Sequence, residues 1–259
     1  KEHVRYFWTL EDDRHSAETV FQTLVDDSSG IIFQHNESES AFAHEDGKKL
    51  MTGFVYGQST RPTITFSKSK FQLTGVHFHP HALKTLFGID AHLLTDQMED
   101  ISLLGMTDIG RQLFESPGGN ERVNLLSQFL QRRICAPLRT DMLVCYCIDR
   151  IKLERGRMSL SRLLKEACIS ERQLERRFKN TVGISPKLYL RIIRFREALR
   201  MIKSNQYPRL SDIAFELNYA DQSHFIRDIR EFSGYTPGNL SADVSEIILN
   251  LHLGSTTTT

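Results

Sequence analysis

Ile213-Ala-Phe-Glu-Leu-Asn-Tyr-Ala-Asp-Gln-Ser-His-Phe-Ile-Arg-Asp-Ile-Arg-Glu-Phe-Ser-Gly-Tyr-Thr-Pro237 is the stretch on which the reading of this chain turns. Taken with the preceding Leu210-Ser-Asp, it reads as a short helix, a turn at Asn218-Tyr219, and a second helix capped by Asp221 and running through Phe232. Ile213, Ala214, Leu217, Phe225 and Ile229 fall on one side and form the seam between the two helices. Gln222, Ser223, His224, Arg227 and Arg230 fall on the outer face.

The same plan occurs upstream. Ser159 caps a helix through Ala167, Cys168-Ile169 makes the turn, and Ser170 caps a helix from Glu171 to Asn180. Leu163, Ala167, Ile169, Leu174 and Phe178 are the predicted seam. Arg172, Glu175, Arg176 and Lys179 lie outside it. Between the two motifs, Pro186 to Met201 reads as a long helix carrying Arg191, Arg194, Arg196 and Arg200. Ser204-Asn-Gln-Tyr-Pro joins it to the second motif.

A helix presented this way can enter the major groove of duplex DNA, which is about 12 Å wide. Arginine suits the edge of guanine there and glutamine that of adenine. Two such helices on one rigid linker would reach successive major-groove faces about 34 Å apart. A single motif of this kind is as readily a plain structural bundle. The charge distribution favours the nucleic-acid reading: residues 1–150 carry 15 Lys+Arg against 20 Asp+Glu, whereas residues 151–240 carry 18 against 10. The net +8 of the second region is hidden in the chain total of +1 by the acidic front and by Asp243 and Glu246 behind it. A basic back and an acidic front indicate two domains, the basic one facing a polyanion.

These residues resemble the AraC/XylS family of regulators. The resemblance is carried by Gly183-Ile-Ser-Pro-Lys-Leu-Tyr-Leu-Arg-Ile-Ile-Arg-Phe-Arg-Glu-Ala198 and by the stretch from Ile213 to Pro237, and it covers roughly Ser159 to Leu240. The sequence departs from the family where Asn218 replaces the usual Gly, Ile229 a Phe and Arg230 a Lys. The aromatic-Arg pair usual after the final Pro is absent, with Asn239-Leu240-Ser241 in its place. The resemblance implies base-reading positions at Arg172, Glu175 and Arg176, and at Gln222, Ser223, His224 and Arg227. Glu175 would favour a cytosine amino group or, alternatively, pair with Arg172 or Lys179 on the helix surface. Phosphate contacts are expected at the helix amino-termini of Ser170, Ser185 and Asp221, with Arg191 or Arg194.

The front of the chain reads differently. Gly30 to His35, Met51 to Gly57, Thr63 to Phe66 and Leu73 to Pro80 are short β-branched and aromatic runs between turn residues, predicting an antiparallel barrel or sandwich. A short helix from His81 to Leu86 ends at Gly88. Val123, Leu126, Leu130 and Ile134 make one apolar stripe on a helix, either a dimer seam or a face packed on the chain's own barrel. His77 and His79, two apart on a strand, are weak candidates for a metal, and no cofactor is expected. Cys145 and Cys147, with Cys135, read as small buried hydrophobes rather than redox sensors.

The expected fold class is α+β: a cupin-like N-terminal β-barrel with helices over residues 1–137, an all-α double helix-turn-helix over 138–241, and a tail over 242–259. The family resemblance implies a small-molecule effector held in the front domain, double-stranded promoter DNA and RNA polymerase as partners, and a homodimer. The cysteine pattern and the lack of a signal-peptide pattern in Lys1 to Leu10 point to a cytoplasmic protein. No apolar run approaches the roughly 20 residues of a membrane span. Two alternatives stand beside the effector reading: a barrel enzyme fused to a DNA-binding module, and a ligand-free regulator governed by a protein partner. Against the enzyme, residues 1–120 hold no cysteine, metal-protease motif, nucleophile elbow or phosphate loop.

Overall fold

The computed structural model describes residues 2–12, 19–35, 40–67, 70–134, 140–204, 207 and 209–243. Cys135, the domain boundary at residue 137 and the tail Gly254–Thr259 lie outside the described residues. Among the described residues the front of the chain forms eight strands, β1 (Val4–Asp12), β2 (Thr19–Thr23), β3 (Gly30–Gln34), β4 (Phe42–His44), β5 (Gly53–Tyr56), β6 (Thr63–Ser67), β7 (Phe71–Phe78) and β8 (Met98–Asp100). They build two antiparallel sheets, ordered β1-β7-β3-β5-β8 and β2-β6-β4.

Strand periodicity separates the two faces of the larger sheet. Ile31, Phe33, Val55, Val76 and Phe78 share one face and pack against helices. The opposite face carries Ile32, Phe71 and Leu73, with Trp8 and Leu10, which meet Phe21 and Phe42 of the smaller sheet. This second face is the barrel interior. The register pairs Tyr6 with His77, Trp8 with Gly75, and Gly30 with both Tyr56 and His77. The two glycines make room for rings: a Cβ at Gly75 would collide with the Trp8 indole, and one at Gly30 with the Tyr56 phenol and the Val76 carbonyl.

Helices α1 (Ala82–Phe87), α2 (Thr107–Glu115) and α3 (Gly119–Ile134) cover the outer face of the larger sheet. Gly88 ends α1 at φ 72°, as its sequence position implies. The apolar stripe of α3 resolves in favour of the chain's own barrel. Leu126 and Leu130 are fully buried in this core, Val123 is half-buried and only Ile134 is exposed. Two of the four stripe residues, Leu126 and Leu130, are thus covered by the chain's own sheet and helices.

The rest of the chain is helical: α4 (Met142–Leu153), α5 (Leu160–Glu166), α6 (Glu171–Val182), α7 (Pro186–Ser204), α8 (Leu210–Glu216), α9 (Gln222–Ser233) and α10 (Pro237–Asp243). Leu163, Leu174, Phe178, Ile213, Ala214, Leu217, Phe225 and Ile229 are all buried, as the seam pattern predicts. Asn218 adopts φ 55° and Cys168 φ 49°, so both turns use the left-handed conformation. Asparagine tolerates it best after glycine, which explains its place at the second turn. The long helix α7 buries Tyr189, Ile192, Phe195, Ala198 and Leu199 and supplies the common core of both motifs.

The two halves are joined through side chains as well as chain. Leu24 and Val25 of the front are buried in the helical core, and Val25 N donates to the Phe232 carbonyl at 3.1 Å. Gln22 Nε2 donates to the Ser233 carbonyl at 2.7 Å, and Thr95 Oγ1 to the Gly183 carbonyl at 2.8 Å.

Gly75→Ala forces the Trp8 ring out of its seat and is expected to cost about 1–3 kcal/mol by overpacking. Urea denaturation of the variant against the parent chain measures it, and an unchanged midpoint contradicts the packing described.

Candidate nucleic-acid interface

The amino-terminal turns of α6 and α9 are built by local caps. Ser170 Oγ accepts from the Gln173 amide while Gln173 Oε1 accepts from the Ser170 amide, each at 3.4 Å. This reciprocal box fixes where α6 begins. Asp221 Oδ1 accepts from the His224 amide at 2.7 Å and does the same for α9.

Because Leu174 and Phe178 face inward, Arg172, Arg176 and Lys179 emerge on the exposed side of α6. Gln222, Ser223 and Arg227 are exposed on α9, and His224 is half-exposed with its ring edge-on to Tyr219 at 5.7 Å. Among the described residues no ion pair engages Arg172, Arg176, Arg227 or Arg230. α6 thus offers solvent Arg172 and Arg176, and α9 Arg227 and Arg230, without an ion-pair partner among the described residues. Glu175 sits 3.3 Å from Lys179 one turn on, so the surface pair expected as its alternative is present.

Two of the expected phosphate contacts, Arg191 and Arg194, are engaged within the protein. Arg191 holds the fully buried Asp228 carboxylate at 2.7 Å and Glu231 at 2.6 Å, and lies over the Phe232 ring. Arg194 donates twice to the Gly156 carbonyl, at 3.1 and 2.8 Å, and lies over the Tyr219 ring. Both arginines tie helices together, and their guanidinium groups are occupied there. Ser185 Oγ accepts from the Leu188 amide at 3.2 Å and is half-buried as the cap of α7. Two further ties went unread in the sequence. Arg157 reaches Glu216 at 3.0 Å, linking the first motif to α8, and Arg177 reaches Asp141 at 2.8 Å, pinning α6 to α4. Burial works to raise the Asp141 carboxyl, but hydrogen bonds from Arg177 and the Val144 amide bring it below its ordinary range.

At the junction with the front domain, Asp27 is fully buried among three cations. Arg5 stands 2.5 Å from it and Lys152 of α4 2.8 Å, while Arg196 of α7 is in direct contact and Tyr189 Oη donates at 3.1 Å. Bringing these cations together is costly. Burial and the repulsion of Arg5 push the Lys152 ammonium down to about 7, and burial lowers Arg196 as well. Asp149 and Asp26 oppose this at Lys152, and Asp26 at Arg196, while the Asp27 carboxylate contacts both cations directly. Nothing in its sequence context announces the role.

The histidine pair does not converge. His77 lies in the barrel interior, its Nδ1 3.0 Å from Ser28 Oγ and 3.2 Å from Tyr56 Oη. His79 leaves the strand and stacks on His81, whose Nε2 is 3.2 Å from His3 Nδ1. Among the described residues no group of three or more His, Cys, Asp or Glu side chains is arranged to hold a metal. Burial pushes the Cys145 and Cys147 thiols up to about 11, which suits small hydrophobes better than a redox thiolate. No described helix is long and apolar enough to cross a membrane.

The polar group His77–Ser28–Tyr56, with the Tyr6 ring tilted by 33° at 4.9 Å from His77, lines the interior beside Trp8, whose Nε1 is buried without a described acceptor. A separate crevice of about 260 Å³ opens between the larger sheet and α2, lined among others by Phe33, His35, Ile101 and Phe114.

Residues 163–242 match the family described as "Helix-turn-helix domain", and residues 1–100 match "Domain of unknown function (DUF6597)". No curated relative matches the chain. Among solved structures the chain is similar to ToxT from Vibrio cholerae O395, at 11% identity and TM-score 0.45, covering 90% of this chain and 96% of that one. It is similar to unsaturated fatty acid bound ToxT from strain SCE256 at 12% identity and TM-score 0.43, covering 93% and 96%. It is also similar to the C-terminal domain of AraT, a response regulator from Geobacillus stearothermophilus, at 23% identity and TM-score 0.36, covering 38% and 83%. At such scores the assignment rests on the domain match and on the residues themselves.

Arg191→Ala leaves the buried Asp228 carboxylate without its cation and is expected to destabilise the chain by about 3–5 kcal/mol. Arg176→Ala is expected to stay within about 0.5 kcal/mol of the parent. Equal losses in chemical denaturation contradict the division between structural and free arginines.

Proposed function

We propose that this chain, whose residues 163–242 match a helix-turn-helix family, is an AraC/XylS-type DNA-binding transcription regulator whose two halves divide the work. Residues 138–241 bind promoter DNA in two successive stretches of major groove. Arg172, Arg176, Gln222, Ser223, His224 and Arg227 meet base edges. Lys179 and the amino-termini capped by Ser170, Ser185 and Asp221 meet phosphate. The observation that carries this is the pair of helices whose outer arginines lack an ion-pair partner while their neighbours on the same elements are tied down.

Residues 1–137 act as the sensing domain, with a small molecule held in the barrel interior against Tyr6, Trp8, Tyr56 and His77. The mixture of aromatic faces, polar groups and one unaccepted indole N–H supports a ligand over a purely packed core. On this reading the barrel binds its ligand and does not transform it. The AraC/XylS assignment also implies RNA polymerase as a partner and, for a paired site, a second copy of the chain.

Arg176→Ala and Arg227→Ala are each expected to cost about 1–3 kcal/mol of specific binding and to relax preference at one base position. Fluorescence anisotropy against a selected duplex and its single-base variants measures both. Unchanged affinity and unchanged preference in both variants would falsify the assignment of these helices. Between 50 and 200 mM salt the parent's affinity is expected to fall by about 10³–10⁵ if some 6–10 phosphates are neutralised.

A further inference from the structure

The segment from Leu24 to Ser29 runs between the two halves, and its side chains are divided between them. Asp26 and Ser28 turn toward the barrel. Ser28 Oγ donates to Asp26 Oδ2 at 2.6 Å and lies 3.0 Å from His77 Nδ1, while Gln58 Nε2 donates to the Asp26 carbonyl. Val25 and Asp27 turn toward the helices. Val25 is buried in the helical core and bonded through its amide to the end of α9. Asp27 binds Lys152 of α4 and both Tyr189 and Arg196 of α7. This strap, bent at Asp27, therefore touches the polar cluster of the barrel with Asp26 and Ser28, and the supports of both helix-turn-helix motifs with Leu24, Val25 and Asp27.

We propose that this strap is the element through which the state of the barrel interior reaches the DNA-binding helices. The inference rests on the reading of the barrel as the sensing domain and deepens it by naming the route. Its physical basis is adjacency. Ser28 and Asp27 are neighbours in the chain, so Ser28 cannot shift far relative to His77 without displacing Asp27, whose carboxylate contacts both Arg196 and Lys152. A buried carboxylate among three cations tolerates little displacement, because each lost contact leaves a charge out of water without its partner. The joint is thus two-state: docked with Asp27 in place, or released with the cations returned to solvent. The strap's own bonds, from Val25 N to the Phe232 carbonyl at the end of α9 and from Asp27 to α4 and α7, let one released strap loosen both motifs.

The test uses amide hydrogen exchange on the full chain without DNA or effector, with a barrel substitution standing in for a ligand. His77→Gln is expected to raise exchange in α7 and in the last turn of α9 by about threefold or more, as a local opening. Asp27→Asn alone is expected to raise it by at least about tenfold. In the Asp27→Asn background His77→Gln should then add nothing. Exchange in α7 and α9 that ignores His77→Gln, or responds equally in both backgrounds, overturns the route. Should Asp27→Asn fail to fold, Lys152→Met serves as the second background, with the same two outcomes. DNA affinity measured on the same proteins separates the failures. Specific binding without coupling removes the strap but leaves the regulator standing, and coupling without specific binding does the reverse.

Discussion

Two buried carboxylates held by arginines of one helix set the geometry of this protein. Asp228 is paired through Oδ1 with Arg191, and Asp27 with Arg196, and both arginines project from α7. A carboxylate out of water costs several kcal/mol unless its partners are in place, so alternatives that break either pair are strongly disfavoured. Asp228 belongs to α9 and Asp27 to the front domain. The long helix therefore fixes, by charge as well as by apolar packing, the second motif on one side and the barrel on the other.

This constraint sorts the cations of the basic half. Arg150, Arg157, Arg162, Arg177, Arg191 and Arg194 meet acidic groups or carbonyls and stiffen the scaffold. Arg172, Arg176 and Arg227 stand on the scaffold facing solvent, where a polyanion can supply the missing partner. The net charge of the region would not distinguish the two groups. Only their partners do, and the recognition surface we propose is what remains once the structural arginines are subtracted.

The helix-turn-helix pair was legible because its signals are local. Ser159, Ser170 and Asp221 cap the helices they precede, Asn218 takes the left-handed turn, and the apolar spacing places Leu174, Phe178, Phe225 and Ile229 inward. The ties of Arg191 and Arg194 were not legible because their partners lie 37 and 38 residues away, and an arginine on a basic helix looks the same in sequence whether tied or free. The stripe of α3 was ambiguous for a similar reason: a period of 3.6 says that a face is buried, not against what. Asp27 gave no signal, since Asp-Asp-Ser-Ser-Gly reads as an ordinary turn and only the pairing of β3 with β7 brings it beside α7. Strand existence in the front was readable from composition, whereas the two-sheet pairing depends on contacts between distant residues.

The central claim is that two helices read one duplex together. Selecting bound sequences from a random duplex pool and mapping the winners by guanine methylation interference tests it most directly. The account predicts two blocks of major-groove contact on one face of the DNA, about 10 base pairs apart from centre to centre. A single block, or a pool that never converges on a sequence, contradicts it.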